Sequence, residues 1–316
     1  MRRALAALAT LAASATLAAS ATPALAHGPG LPVGPGDLWH HWTFDFRVLV
    51  PLFVVHWFYG RGVLRLWARA GTGRGVSRTR VGLFFAGEVA LVLALVTPLD
   101  QLGETLLTAH MVQHGLLIAV APPLLLFGRP GAALPWGLPA RLRRWATRSP
   151  VFRAGARRFA VLLHPLVAAA LHGAVLWGWH APALFDAALE NRTLHWIEHL
   201  TFFGTAMLFW QSLFLASRSA ATIPAGLGAA FATLVHGGLL GALITFAPYP
   251  LFSWYDGRTV LWGLTPLEDQ QLGGLVMWVP LGLVYLAACL ALVGRLVLGP
   301  AGLGLDDEPA PRPAGD

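Results

Sequence analysis

Two histidine pairs at helical spacing dominate the chemistry available to this chain: His110 and His114 in HMVQH, and His195 and His199 in HWIEH. Side chains four residues apart on a helix lie on one face about a turn apart, so each pair can offer two imidazoles to one ion. His180, closing the stretch WGWH, is a fifth donor. Imidazole suits zinc, copper, iron and nickel, and copper binds most tightly in the divalent series. Cys289 is the one cysteine, which excludes an internal disulfide and a CxxC clasp. A metal centre here therefore uses His110, His114, His180, His195 and His199, two to four of them bound to the ion directly. On these residues the metal stays open, copper standing first by affinity and zinc remaining an alternative, with Gln113, Glu198, Asp269 and Gln270 orienting the ligating rings from behind.

Other titratable groups fall in strongly apolar sequence. Intramembrane histidines commonly make interhelical hydrogen bonds, whereas a carboxylate such as Glu88 is expensive there and points to function. His56, Glu88, His172 and His236 thus read either as structural polar groups or as steps on an intramembrane path towards the cytoplasm, as in a copper import or resistance protein. The stretch from His195 to His199 also fits H-x-x-E-H, the inverted zinc-protease pattern, but three fixed positions in five recur too easily by chance to carry that reading. A seven-span zinc hydrolase is the stronger rival, since three histidines, an aspartate and an activated water suffice for it. Asp269 is available for that role, yet serine is scarce near the histidines and no nucleophile elbow is present.

Such a set needs helices to hold it, and the composition says where those helices lie. Of 316 residues, 56% are hydrophobic and 12% charged, at a mean hydropathy of +0.62. A soluble domain carries about 25% charged residues, so this is an integral membrane protein in contact with lipid. Spans of ~20 apolar residues are expected at roughly 47–68, 81–99, 106–127, 160–180, 195–216, 223–247 and 272–297. The fold class is an all-α bundle of seven transmembrane helices preceded by a signal peptide. Residues 1–26 form that signal peptide: Arg2 and Arg3, an apolar run, and the A-x-A pattern Ala24-Leu25-Ala26. Residues 27–299 form the membrane domain, and residues 300–316, charged and Pro-rich, a disordered cytoplasmic tail.

All 22 basic residues are arginine. They concentrate in two loops, with Arg69, Arg74, Arg78 and Arg80 in one and eight arginines between Arg129 and Arg158 in the other. The alternate loops carry Asp100, Glu104, Asp186, Glu190, Asp256, Glu268 and Asp269. Positive charge marks the cytoplasmic side, which sets the chain N-out and C-in and agrees with a cleaved signal. The net charge of +7 is thereby explained by topology, and nucleic acid is excluded as a partner. In this orientation His110, His114, His180, His195 and His199 share one level near the outer surface.

Three stretches in order, HMVQHGLLIAVAPPLLLFGRP, HAPALFDAALENRTLHWIEHLTFF and EDQQLGGLVMWVP, resemble the polytopic CtaG-type cytochrome c oxidase assembly factors of bacterial plasma membranes. The resemblance covers residues ~40–297. It implies a non-enzymatic role in building the terminal oxidase by holding or delivering copper, with oxidase subunits as partners at the outer membrane face. His110, His114, His180, His195 and His199 match the family's histidines, and Asp269 and Gln270 fall in its last motif.

Overall fold

The computed structural model describes residues 30–299. The expected signal peptide (1–26) and cytoplasmic tail (300–316) lie outside the described residues. Within them the chain is helical, with no strand. The longer elements are α1 (Phe46–Ala70), α2 (Arg78–Leu95), α3 (Leu99–Gly103), α4 (Leu107–Gly115) and α5 (Ala121–Phe127). They continue as α6 (Pro130–Gly137), α7 (Ala140–Arg148), α8 (Pro150–Leu162), α9 (Pro165–Trp179) and α10 (Pro182–Glu190). Three long helices complete the bundle: α11 (Arg192–Ala216), α12 (Ile223–Thr245) and α13 (Pro266–Leu298).

Four helical stretches are long and apolar enough to cross a membrane: Leu107–Phe127, α11, α12 and α13. A fifth arises if the pair Ala154–Leu162 and Pro165–Trp179, bent by 71°, is one span. Pro165 explains that bend, because the residue before a proline is pushed out of helical geometry. Helices α1 and α2 lie where the first two spans are expected. Their arginines (Arg47, Arg61, Arg65 and Arg69 in α1; Arg78 and Arg80 in α2) and Glu88 dilute their apolar character. The outer faces of the bundle remain greasy, with Phe53, Trp57, Leu239, Leu243, Leu290 and Val297 exposed.

Leu107–Phe127 and α11, which carry the two histidine pairs, are the central elements. Their most apolar windows are 72% and 61% buried, against 33% for α12 and 28% for α13. Helix α4 packs on α13, α5 on α2, α9 on both α11 and α12, and α12 on α13. Between α4 and α5 the chain passes through a π-helical turn, Leu116–Val120, just before Pro122 and Pro123. Proline has no N–H, so the carbonyl of Ile118 loses the donor that residue 122 supplies in a regular helix. The indole Nε1 of Trp210, on α11, donates to that carbonyl at 2.8 Å. A prolyl defect in one central helix is thus repaired by the other.

Close approach of α13 to α4 depends on Gly273. A Cβ there would stand 3.1 Å from Leu107 Cγ and 3.3 Å from the Thr108 amide nitrogen. This contact brings Asp269 to the start of α4. The N-cap residue Leu106 makes no side-chain cap. Instead the fully buried Asp269 accepts from the backbone N–H of Leu107 at 2.6 Å and of Thr108 at 3.1 Å. Four N–H groups at a helix start have no partner within the helix, and α13 supplies an acceptor for two of them.

Candidate metal centre

Helices α4 and α11 bring their histidine pairs face to face. His110 and His114 have ring centroids 4.1 Å apart, His195 and His199 4.2 Å apart, and His110 lies 5.4 Å from His195 across the helix interface. His114 lies 5.6 Å from His199 and 5.8 Å from His180, at the end of α9. All five imidazoles are buried. One ligand atom from each of His110, His114, Glu198 and His199 lies within 4.8 Å of the others, so these four form a group able to hold a metal ion. His195 and His180 flank it.

Glu198 stands among the imidazoles rather than behind them. Its carboxylate oxygens lie 3.9 Å from His110 Nε2, 3.7 Å from His114 Nε2 and 4.0 Å from His195 Nε2. The sequence did hold the signal, since Glu198 is three residues after His195 and next to His199, on the same helical face. Those separations are too long for hydrogen bonds. Both Glu198 oxygens, both ring nitrogens of His114 and Nε2 of His110, His180, His195 and His199 have no hydrogen-bond partner. Leaving so many polar atoms unsatisfied is costly, at ~1–3 kcal/mol for each group. Two donors about 2.1 Å from a shared ion lie ~3.4 Å apart at a tetrahedral angle and ~4.2 Å apart when opposed. The donor set suits a metal ion in number and type, and the Glu198–imidazole separations of 3.7–4.0 Å fall within that range.

His180 is held in one tautomer. Its Nδ1 lies 2.7 Å from the Leu176 carbonyl oxygen, which only accepts, so Nδ1 carries the proton and Nε2 presents a lone pair towards the cluster. The other expected orienting residues make their hydrogen bonds to the backbone and, for Gln113, to Asp100 as well, rather than to the imidazoles. Gln113 donates to Ala94 O and Asp100 Oδ1, both at 2.8 Å, tying α4 to the end of α2 and to α3. Asp269 caps α4 one turn before His110. Gln270 accepts from Leu251 N at 2.6 Å and donates to Ile244 O and Tyr249 O, fixing the segment after α12.

That segment, residues 246–265, crosses the end of the bundle and caps the cluster. Asp186 of α10 accepts from Ser253 N, Ser253 Oγ and Trp254 N. Tyr255 donates to Gly103 O and Trp254 Nε1 to Glu104 O, each at 2.9 Å. Phe185 packs between this cap and the cluster, its ring centroid 4.2 Å from that of Phe252 and 5.1 Å from that of His110, tilted to both. Glu104, half-buried beneath the cap, has its carboxyl pushed up to about 7, chiefly by desolvation and next by the nearby Asp100. Burial also raises Asp100 above the usual carboxylate range, against the opposing hydrogen bond from Gln113.

The four residues of the expected intramembrane path divide into separate groups. His56 Nδ1 and Glu88 Oε2 are 2.8 Å apart on α1 and α2. His172 bonds to Thr205 and Tyr285, and His236 accepts from Trp177 Nε1 at 3.4 Å. No hydrogen bond among the described residues joins the first group to the others.

Among curated proteins the chain is 26% identical over 247 residues to the uncharacterized proteins Mb0105 of Mycobacterium bovis and MT0111 of Mycobacterium tuberculosis. The match covers 75% of this chain but 36% of each of theirs, so the chain spans about a third of the length of these relatives. No solved structure matches it. The model of the cytochrome c oxidase caa3 assembly factors matches residues 57–297, which include every histidine of the cluster, and the chain therefore belongs to the Caa3_CtaG family of cytochrome c oxidase assembly factors.

Proposed function

We propose that this protein holds copper at the His110–His114–Glu198–His199 cluster, with His180 and His195 as exchange ligands, and passes it to an assembling oxidase docked at the outer membrane face. Membership of an oxidase assembly family supports the oxidase as destination. The observation that carries the metal reading is the convergence of three imidazoles and a carboxylate, all buried, with their donor atoms unpartnered by protein. Ligand exchange rather than turnover is the mechanism: neutral imidazoles hold the ion, and those of a partner take it over.

In this reading the chain is a seven-span protein of the bacterial plasma membrane, N-out and C-in, with residues 27–299 as one membrane unit behind a cleaved signal. Helices at Phe46–Ala70, Arg78–Leu95 and Pro165–Trp179, beside the four apolar stretches, support the count. The segregation of arginines from carboxylates supports the orientation, which puts the cluster on the side where an oxidase subunit receives copper from outside.

The deciding experiment is metal content of purified protein, wild type beside His110→Ala/His114→Ala, after equilibration with copper and zinc under reducing and oxidising conditions. Copper retained by wild type and lost by the double variant is the expected result. It should be matched by loss of oxidase activity, with the oxidase polypeptides still made, in cells carrying the variant. Indifference of copper binding to both histidines overturns the assignment, and selective retention of zinc points to a metallohydrolase instead.

A further inference from the structure

The cap leaves open the question of how an ion reaches a cluster so covered. A cleft of ≈ 170 Å³ runs along the bundle between α1 and α2 on one wall and α11 on the other. Its lower walls are mostly apolar, but its outer end gathers Asp45, Asp100, Gln101, Glu104 and Arg192. His195 and His199 line the same cleft. Both are more than nine-tenths buried, and each has an Nε2 without a hydrogen-bond partner. The outer end thus holds three acidic side chains to one guanidinium, with Glu104 ionising around neutral pH, and two imidazole donors follow, an order that draws a cation.

Asp45, the N-cap of α1, and Arg192, the first residue of α11, close the outer end with an ion pair of 3.4 Å. The Arg192 side chain is 48% exposed while that of Asp45 is 11% exposed. A single 3.4 Å contact to a guanidinium half in solvent is a weak tie, and the arginine is the half free to swing out. The cap segment, by contrast, is held by Asp186, Tyr255 and Trp254 through bonds to two different helical elements.

Resting on the metal-binding reading, we propose that metal ions enter and leave the cluster sideways through this cleft, past the Asp45–Arg192 clasp, with His199 as the first imidazole of the centre to receive them. The cap does not open. Asp100 and Glu104 draw the cation in, and the clasp sets how fast it is exchanged without changing how tightly it is held.

Cys289 is the one cysteine and lies on α13, away from the cleft, so site-directed blocking is practical. In a Cys289→Ala background, Val48→Cys places a thiol on the cleft wall, and Val260→Cys places one on the exposed cap. Each is labelled with a bulky methanethiosulfonate. Loading and release of copper(I), kept reduced with ascorbate, and of zinc(II) in parallel, are followed in time, together with metal bound at equilibrium. The label at position 48 should slow both loading and release about tenfold or more with the same endpoint, and removal of the label should restore the rates. The label at position 260 should change neither. Arg192→Ala should speed release at unaltered affinity, and Glu104→Gln with Asp100→Asn should slow loading about tenfold at low salt and less at high salt. Normal binding with rates indifferent to the label at position 48, or slowed by the label at position 260, overturns the route while leaving the metal site standing. Failure of unlabelled protein to bind either metal overturns the proposed function and the route with it.

Discussion

Asp269→Asn tests whether the last family motif acts through the start of α4. The substitution keeps the side chain's volume but turns one acceptor oxygen into an NH2 donor. The two N–H groups that Asp269 now receives, at 2.6 and 3.1 Å, then meet one acceptor instead of two. Loss of one charge-assisted bond costs ~1.5–3 kcal/mol, and loss of a negative charge at a helix N-terminus adds ~0.3–1 kcal/mol. The sum is on the order of 2–4 kcal/mol, which for a chain this long lowers the melting temperature by roughly 3–6 °C. His110 is one turn beyond these bonds, so the same change should weaken metal binding about tenfold, the usual scale for residues that position a ligand. Thermal unfolding in detergent and a chelator competition read the two effects. Gln270→Ala is the control, because it loosens the segment after α12 without touching α4 and should lower the melting temperature alone. An unchanged melting temperature together with unchanged affinity in Asp269→Asn would refute the capping role.

Trp210→Phe leaves the Ile118 carbonyl, already deprived of a donor by Pro122, without a partner; a loss of ~1–3 kcal/mol is expected, read as a lower melting temperature, and no change would mean that the π-helical turn is satisfied without the indole. Glu104→Gln has a pH signature. The carboxyl titrates near 7 in the folded protein against an ordinary value near 4.5, so the native state binds the extra proton and wild-type stability falls as pH rises between those values. The variant should melt with wild type at pH 4 and progressively above it up to about pH 7, and parallel curves throughout would overturn the burial argument.

The histidine cluster was legible in sequence because a helix enforces its own periodicity. His110 with His114 and His195 with His199 needed only the i, i+4 rule to be placed on two faces, and span geometry put those faces at one level. What the rule cannot give is the relation between faces. Glu198 was visible on the correct side of α11, but its place among the rings of α4 depends on the interhelical approach. Asp269 and Gln270 read as polar groups near a metal, whereas their partners turned out to be backbone atoms 162 and 19 residues distant in sequence. Helices α1 and α2 show the opposite difficulty: their positions were readable while their arginines weaken the compositional case for spans. The cap depended on loop residues such as Ser253 and Tyr255, which carry no periodic signal at all.

Charge balance at Glu198 bears on which ion the site suits. Three neutral imidazoles and one ionised carboxylate carry a net charge of −1, so copper(I) makes the group neutral and a divalent ion leaves it at +1. Two other acidic groups near this end of the bundle are committed, Asp269 to backbone N–H groups and Asp100 to Gln113. Holding net charge in a region where Glu198 is 1% exposed costs several kcal/mol, which favours the monovalent ion. Glu198→Gln removes the −1 with little change in shape. Coulomb attraction scales with the charge of the ion, so the logarithm of affinity should fall about twice as far for zinc(II) as for copper(I). The metal-free variant should melt no lower than wild type, because a carboxyl group that makes no hydrogen bond is replaced by an amide of the same shape, with no partner lost. Equal losses for the two ions, or an affinity indifferent to the change, would place Glu198 outside the coordination sphere and leave the histidines to hold the ion without its charge.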